Sequence, residues 1–178
     1  ALTAAIEHPA RVARLVVTNA VAYDSWPIDD MLELGNPAWK DKPAAEIAEF
    51  VAAGLPDGLH RPDRVTPEFS AGITAPCRDD EGKISLIRNA SSLNTNHTMA
   101  LVDRHCDITA PTLVLWGRHD PWQPVADGER LAREIPGAQL ELVEASHWIP
   151  HDAPEEFAAA VLAFLRDRPA PPGPVPGP

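Results

Sequence analysis

Cysteine is nearly absent from this 178-residue chain: Cys77 and Cys106 are its only two. Two thiols do not make a disulfide framework, and their scarcity points to a reducing, cytoplasmic setting. Basic side chains are also few, with 15 Lys and Arg against 26 Asp and Glu and a formal charge of −11. Nucleic acid is therefore not the expected partner, because phosphate binding needs a basic surface to release counterions. Long apolar runs are missing too. The longest, Leu15 to Ala22, is interrupted by Thr18 and Asn19, far short of the ~20 residues of a membrane helix, so no membrane partner is expected. The N-terminal ALTAAIEHPARV carries Glu7, His8 and Arg11 and does not read as a signal peptide. It lacks an initiator Met and opens in mid-pattern, which suggests residues missing upstream. No phosphate-cradling glycine loop or metal cluster is visible, and no cofactor is expected.

What is present is enough apolar material, 44% of residues, for a packed core. Ala1 to Glu7 reads as the tail of a helix stopped by His8-Pro9. Arg14 to Thr18 is a short β-branched run with the pattern of a strand buried on both faces, followed by a loop from Asn19 to Asp29. Residues 30–105 change texture. Apolar residues are spaced for short helices (Ala44 to Val51, then Ile84 to Met99), proline and glycine interrupt repeatedly, and no alternating strand pattern appears. This segment reads as a helical insertion.

A regular rhythm starts at Thr109: a strand at Thr112–Trp116, a helix at Asp127–Ile135, a strand at Leu140–Val143, and a final helix. That helix is expected to start at Asp152, with Glu155 completing a capping box and Phe157, Val161, Phe164 and Leu165 on one face. Strand, helix, strand, helix with short links predicts parallel α/β construction. The expected divisions are thus 1–29, a core helix end, strand and loop; 30–105, helical; 106–168, core strands and helices; and 169–178, a proline-rich solvated tail without a core.

Functional groups in open parallel sheets gather at the carboxyl ends of the strands. Asp120 lies four residues past Trp116, and His147 four residues past Val143. On neighbouring strands, roughly 4.8 Å apart, the two could meet at hydrogen-bond range. The carboxylate would then fix the imidazole tautomer and leave the other ring nitrogen as a general base.

With ITAPTLVLWGRHDPW ending a strand in Trp-Gly-x-x-Asp, and IPGAQLELVEASHWIPHDAPEEFAAAVLAFL placing a His turn before a closing helix, the chain resembles the α/β-hydrolase family. ALTAAIEHPARVARLVVTNAVAYDSWP is similar to the helix after that family's nucleophile elbow and its following strand. The resemblance covers all but the proline tail. It implies the C-terminal part of an α/β-hydrolase parallel sheet, about three strands with flanking helices, with residues 30–105 as a helical cap. It also implies that His147 is the base and Asp120 the acid of a nucleophile–His–acid set acting on an ester, epoxide, carbon–halogen or similar bond of a small-molecule substrate.

One departure is large. No Ser is flanked by glycines as in the family's G-x-S-x-G elbow, and no Asp counterpart stands in such a place. The expectation is a chain carrying acid and base without nucleophile, inactive alone and with its own missing N-terminal half as a candidate partner. The alternative is a non-enzymatic small-ligand-binding module of the same fold.

Asp24 is a rival acid, since some family members take theirs from the end of the preceding strand; that strand-end position here is Asn19, which cannot serve as a carboxylate. Trp26, Trp122 and Trp148 flank the site. They read either as walls of an apolar substrate pocket or as packing between loop and cap. Asn94, Asn96 and His97 could face a pocket or a solvated helix surface. His119 and His151 read as loop residues, and Pro150 argues against a His147–His151 metal pair. Cys77 and Cys106 lack the basic, strand-end setting of a nucleophile.

Overall fold

Alternate residues of the central strand enter two different cores. Val114 and Trp116 pack on one side with Leu131, Ile135, Leu2, Ile6 and Tyr23, while Leu113 and Leu115 pack on the other with Val143, Ile149, Ala160 and Phe164. This is the two-residue period of a strand covered by helices on both faces. The computed structural model describes residues 1–166, so the proline-rich segment expected at 169–178 lies outside the described residues.

In chain order the elements are α1 (Leu2–Glu7), β1 (Leu15–Thr18), α2 (Asp29–Leu34), α3 (Ala44–Gly54), α4 (Pro67–Thr74), α5 (Asp80–Ser91), α6 (Asn96–Met99), β2 (Thr112–Gly117), α7 (Val125–Glu134), β3 (Gln139–Val143), α8 (Ile149–Asp152) and α9 (Pro154–Arg166), with 3-10 turns between several of them. The strands form one parallel sheet in the order β1-β2-β3. Leu15 pairs with Thr112, and Gly117, the last residue of β2, lies opposite Val143, the last of β3. The carboxyl ends of β2 and β3 are therefore level.

Burial follows position in the sheet. All of β2 is buried, β1 alternates buried and half-buried, and β3 is largely exposed until Val143. The expectation of a first strand buried on both faces thus gives way to an alternating one. Helix α7 sits so close to β2 that a Cβ on Gly128 would fall 2.6 Å from the Trp116 ring, which is why glycine occupies that helical position despite its propensity cost.

Between β1 and β2 the chain forms helices and no strand. These helices enclose a third core of Leu34, Trp39, Ile47, Cys77, Ile87 and Ala90. The stretch from Ile84 to Met99 does not run on as helix. Ser91 and Ser92 donate their hydroxyls back to the carbonyls of Arg88 and Asn89, and the Asn94 side chain accepts from the Asn96 amide. Such short polar side chains compete with the helical ladder, so α5 stops and α6 starts afresh.

The final helix also starts differently. Asp152 closes α8, and its carboxylate does not cap α9; it accepts from the backbone of His60, Arg61 and Ser146 instead.

One partly buried cluster ties α7 to the rest. The Glu134 carboxylate accepts from the Tyr23 hydroxyl (2.7 Å), His105 Nδ1 (2.8 Å) and Arg130 Nε (2.7 Å). Burial alone would raise the Glu134 pKa, but the hydrogen bonds from His105, Tyr23 and Arg130 together outweigh it and hold the group below the ordinary carboxylate range. Burial, then the Glu134 bond, pushes the Tyr23 phenol up. A lowered folded-state pKa gives a contribution present above the unfolded value and lost as pH falls through the folded one. Stability is therefore expected to drop as pH goes below the ordinary glutamate range, and Glu134→Gln should flatten that acid limb in urea titrations at stepped pH. An unchanged acid limb in the variant would show that the cluster does not contribute.

Candidate active site

The turn after β2 is built from its own sequence. Trp116 is fully buried, and its indole N–H donates to the Gln123 carbonyl at 3.0 Å, closing the loop on itself. At Gly117 a Cβ would lie 2.3 Å from the carbonyl oxygen of Ser146. Only glycine lets the end of β2 approach the next loop so closely, which gives the Trp-Gly pair a physical reason. Further on, Asp120 Oδ1 accepts from the amides of Trp122 (2.8 Å) and Gln123 (2.9 Å). This turn leaves Oδ2 aimed away from its own loop.

The turn after β3 is stitched to the first. Arg118 donates to the Val143 carbonyl and His119 to that of Ala145, while the Ser146 hydroxyl donates to the His119 carbonyl. Across this seam His147 Nδ1 meets Asp120 Oδ2 at 2.9 Å, with the Asp120 side chain wholly buried and that of His147 26% exposed. A carboxylate only accepts, so Nδ1 donates and Nε2 keeps the lone pair. Such an imidazole can take a proton from a hydroxyl or a water, with the buried carboxylate stabilising the cation that results.

Three residues hold this geometry without belonging to it. Asn19, at the end of β1, adopts φ 39°, a left-handed conformation that Asn tolerates better than most residues. Its Nδ2 donates to the carbonyls of Ser146 (2.8 Å) and His147 (3.0 Å), and its Oδ1 accepts from the Gly117 amide (2.8 Å). Sequence reasoning saw in Asn19 only an unsuitable acid. Asp152, 1% exposed, accepts from Ser146 (2.8 Å), His60 (2.8 Å) and Arg61 (3.0 Å), joining the His147 turn to the helical segment; the sequence-based expectation assigned its carboxylate to the helix. Gly58 accepts from the Trp148 amide, and a Cβ there would lie 2.3 Å from the Trp148 indole nitrogen. No local sequence signal marks the links of the last two to the helical segment, because those partners are about 90 residues away.

His147 lines a cavity of about 770 Å³ between the sheet's carboxyl edge and the helices, and Trp26, Trp122 and Trp148 line it as well. Trp122 and Trp148 both meet the imidazole edge-on, at 4.9 and 5.7 Å between ring centres. Asn94, Asn96 and His97 are not among its lining residues. The rival acid Asp24 is exposed and stands near Asp127, whose pKa is raised first by burial and then by the Asp24 charge; it has no contact with His147. Cys77 reaches the cavity wall, but its thiol donates to the Thr74 carbonyl (3.1 Å) and burial pushes its pKa up, the opposite of an activated thiolate.

His151, in α8, stacks on Phe69 and donates to the Arg64 carbonyl at 2.7 Å. Among the described residues one group has potential metal ligands within 4.8 Å of one another, the exposed His60, His119 and Glu144. The two rings stack 9° from parallel, so their in-plane lone pairs do not converge on one ion, and Glu144 is already held by Arg118 and His119.

Comparison with known proteins decides the lineage. Residues 1–154 match the family model described as alpha/beta hydrolase fold. The chain belongs to the α/β-hydrolase fold family. A 2-hydroxy-6-oxononadienedioate/2-hydroxy-6-oxononatrienedioate hydrolase of Cupriavidus pinatubonensis is 42% identical over 60 residues, 33% of this chain and 21% of that protein. An α/β-hydrolase fold protein from Burkholderia ambifaria superposes with a TM-score of 0.82 at 24% identity, over 91% of this chain and 60% of that one. A thermophilic esterase from Thermogutta terrifontis gives 0.67 at 22% identity, over 93% and 60%. The α/β-hydrolase chain thus spans about 60% of the length of these solved structures. Among its described residues no helix is long and apolar enough to cross a membrane.

Proposed function

We propose that this chain supplies the acid and base of an α/β-hydrolase active site, with His147 as general base and Asp120 as the carboxylate that orients it. The observation that carries the proposal is the 2.9 Å contact between His147 Nδ1 and the buried Asp120 Oδ2, made at the wall of a cavity deep enough for a small molecule. Nε2 of His147 would take the proton of a nucleophile, and later that of the water that releases the covalent intermediate. Trp26, Trp122 and Trp148 would pack on the substrate body.

The nucleophile is not in these 178 residues, since no serine has the glycine flanks of an elbow. Strand β1 pairs with β2 on one side only among the described residues, which leaves an edge for a further strand. A segment supplying that strand and the elbow would complete the site. The family membership and the hydrolase relatives favour hydrolysis of an ester, epoxide, carbon–halogen or similar bond over the binding-module reading.

The chain alone is expected to turn over neither a p-nitrophenyl ester nor a haloalkane. The coding sequence immediately ahead of Ala1 is expected to contain a glycine-flanked Ser or Asp, and protein including it is expected to be active on at least one substrate class. Turnover by the isolated chain, or an upstream sequence without such a residue, would overturn the assignment.

A further inference from the structure

Among the described residues, the carboxylates lining the cavity faced by His147, those of Asp30, Asp79 and Glu81, have no lysine or arginine beside them on the wall. Asp30 is in the first turn of α2, and Asp79 and Glu81 sit at the start of α5, all three exposed. Asp79 Oδ1 accepts from the Gly82 amide at 2.8 Å, and the N-terminus of α5 offsets only about half a unit charge. The nearby cations are engaged elsewhere. Lys83 is buried, with its ammonium on Asp80 (2.8 Å) and on the carbonyls of Lys40 and Lys42, and Arg78 turns to the Thr74 hydroxyl at 3.1 Å. Much of the remaining wall is apolar, including Trp26, Ile28, Met31, Leu34 and Phe50.

We propose that this cavity selects substrates with an apolar body and no negative charge, uncharged or cationic, and discriminates against carboxylates. The inference rests on the cavity being the substrate site of the proposed hydrolase. It separates this protein from relatives whose names specify dicarboxylates, the oxononadienedioates and oxononatrienedioates. An anion entering here meets three exposed carboxylates and, among the described residues, no lysine or arginine on the wall, a repulsion that added salt screens. The apolar wall gives the uncharged body a favourable place to bury.

The test is a charge series on one skeleton. Binding of 4-phenyl-1-butanol, 4-phenylbutylamine and 4-phenylbutyrate to the 178-residue chain is measured by calorimetry at pH 7.5, in low and in high salt. The carboxylate is expected to bind at least about fivefold more weakly than the alcohol and the amine, the gap narrowing in high salt. In the Asp30→Asn/Asp79→Asn/Glu81→Gln variant, where Asn at 79 keeps the α5 cap, the gap should close mainly through tighter carboxylate binding. Carboxylate affinity equal to or above that of the alcohol, or no binding by any of the three, overturns the proposal.

The hydrolase reading fails separately. In protein carrying its nucleophile, equal kcat/KM for a neutral ester and its carboxylated analogue defeats charge selection while leaving hydrolysis intact. Absence of turnover together with the expected binding order does the reverse.

Discussion

Changing His147 to Ala, or Asp120 to Asn, in protein that carries its nucleophile is expected to lower kcat by about 10³- to 10⁴-fold with KM changed far less. The two substitutions act differently. His147→Ala removes the proton acceptor. Asp120→Asn keeps an oxygen for the Trp122 and Gln123 amides, so the turn after β2 retains its internal bonds. What it removes is the carboxylate facing His147 Nδ1. An amide N–H placed there would favour the tautomer with its lone pair on Nδ1, leaving Nε2 protonated and unable to act as base. The effect should therefore appear in kcat, with the fold intact by circular dichroism. Near-normal rates in both variants would remove the pair from the mechanism.

Asp152→Ala is expected to have the largest effect on stability, about 3 kcal/mol or more, because three backbone amides lose a charged acceptor in a buried place. They come from two distant parts of the chain: His60 and Arg61 in the helical segment, and Ser146 beside His147. The loss should be local as well as global. Amide exchange is expected to accelerate around residues 58–61 and 144–152 before the sheet opens. Asp152→Asn, which keeps one acceptor oxygen but adds donors, should fall between the parent and Ala. Urea denaturation of the chain measures the series, and a loss below about 1 kcal/mol for Ala would mean that these bonds do not hold the turn.

The architecture was legible because its signals are local. Thr112–Trp116, set between Pro111 and Gly117, and Leu140–Val143, soon after Pro136-Gly137, are mostly β-branched or aliphatic, and both lie in strands of one parallel sheet. The spacing from each strand end to Asp120 and His147 was legible for the same reason: in a parallel sheet a fixed number of residues beyond a strand end leads to the same edge. The capping box at Asp152 was misplaced by that logic. Asp followed three residues later by Glu is a sound helix-start pattern, yet the buried carboxylate took three backbone amides elsewhere and the helix began at Pro154. A local preference worth about 1 kcal/mol does not compete with a carboxylate that would otherwise be buried without partners.

Taken alone, the amino-acid order determined the strand and helix periods, the fold class, and the presence of an acid and an imidazole at equivalent strand ends, since each depends on neighbours within a few residues. Tertiary structure decided the rest: that β2 and β3 end level, that Asn19 holds the His147 turn and Asp152 ties it to residues 60–61, and that Asp30, Asp79 and Glu81 line one cavity with His147. Those facts depend on contacts between residues tens of positions apart, and no periodicity along the chain encodes which distant side chains the packing of helices on a sheet will bring together.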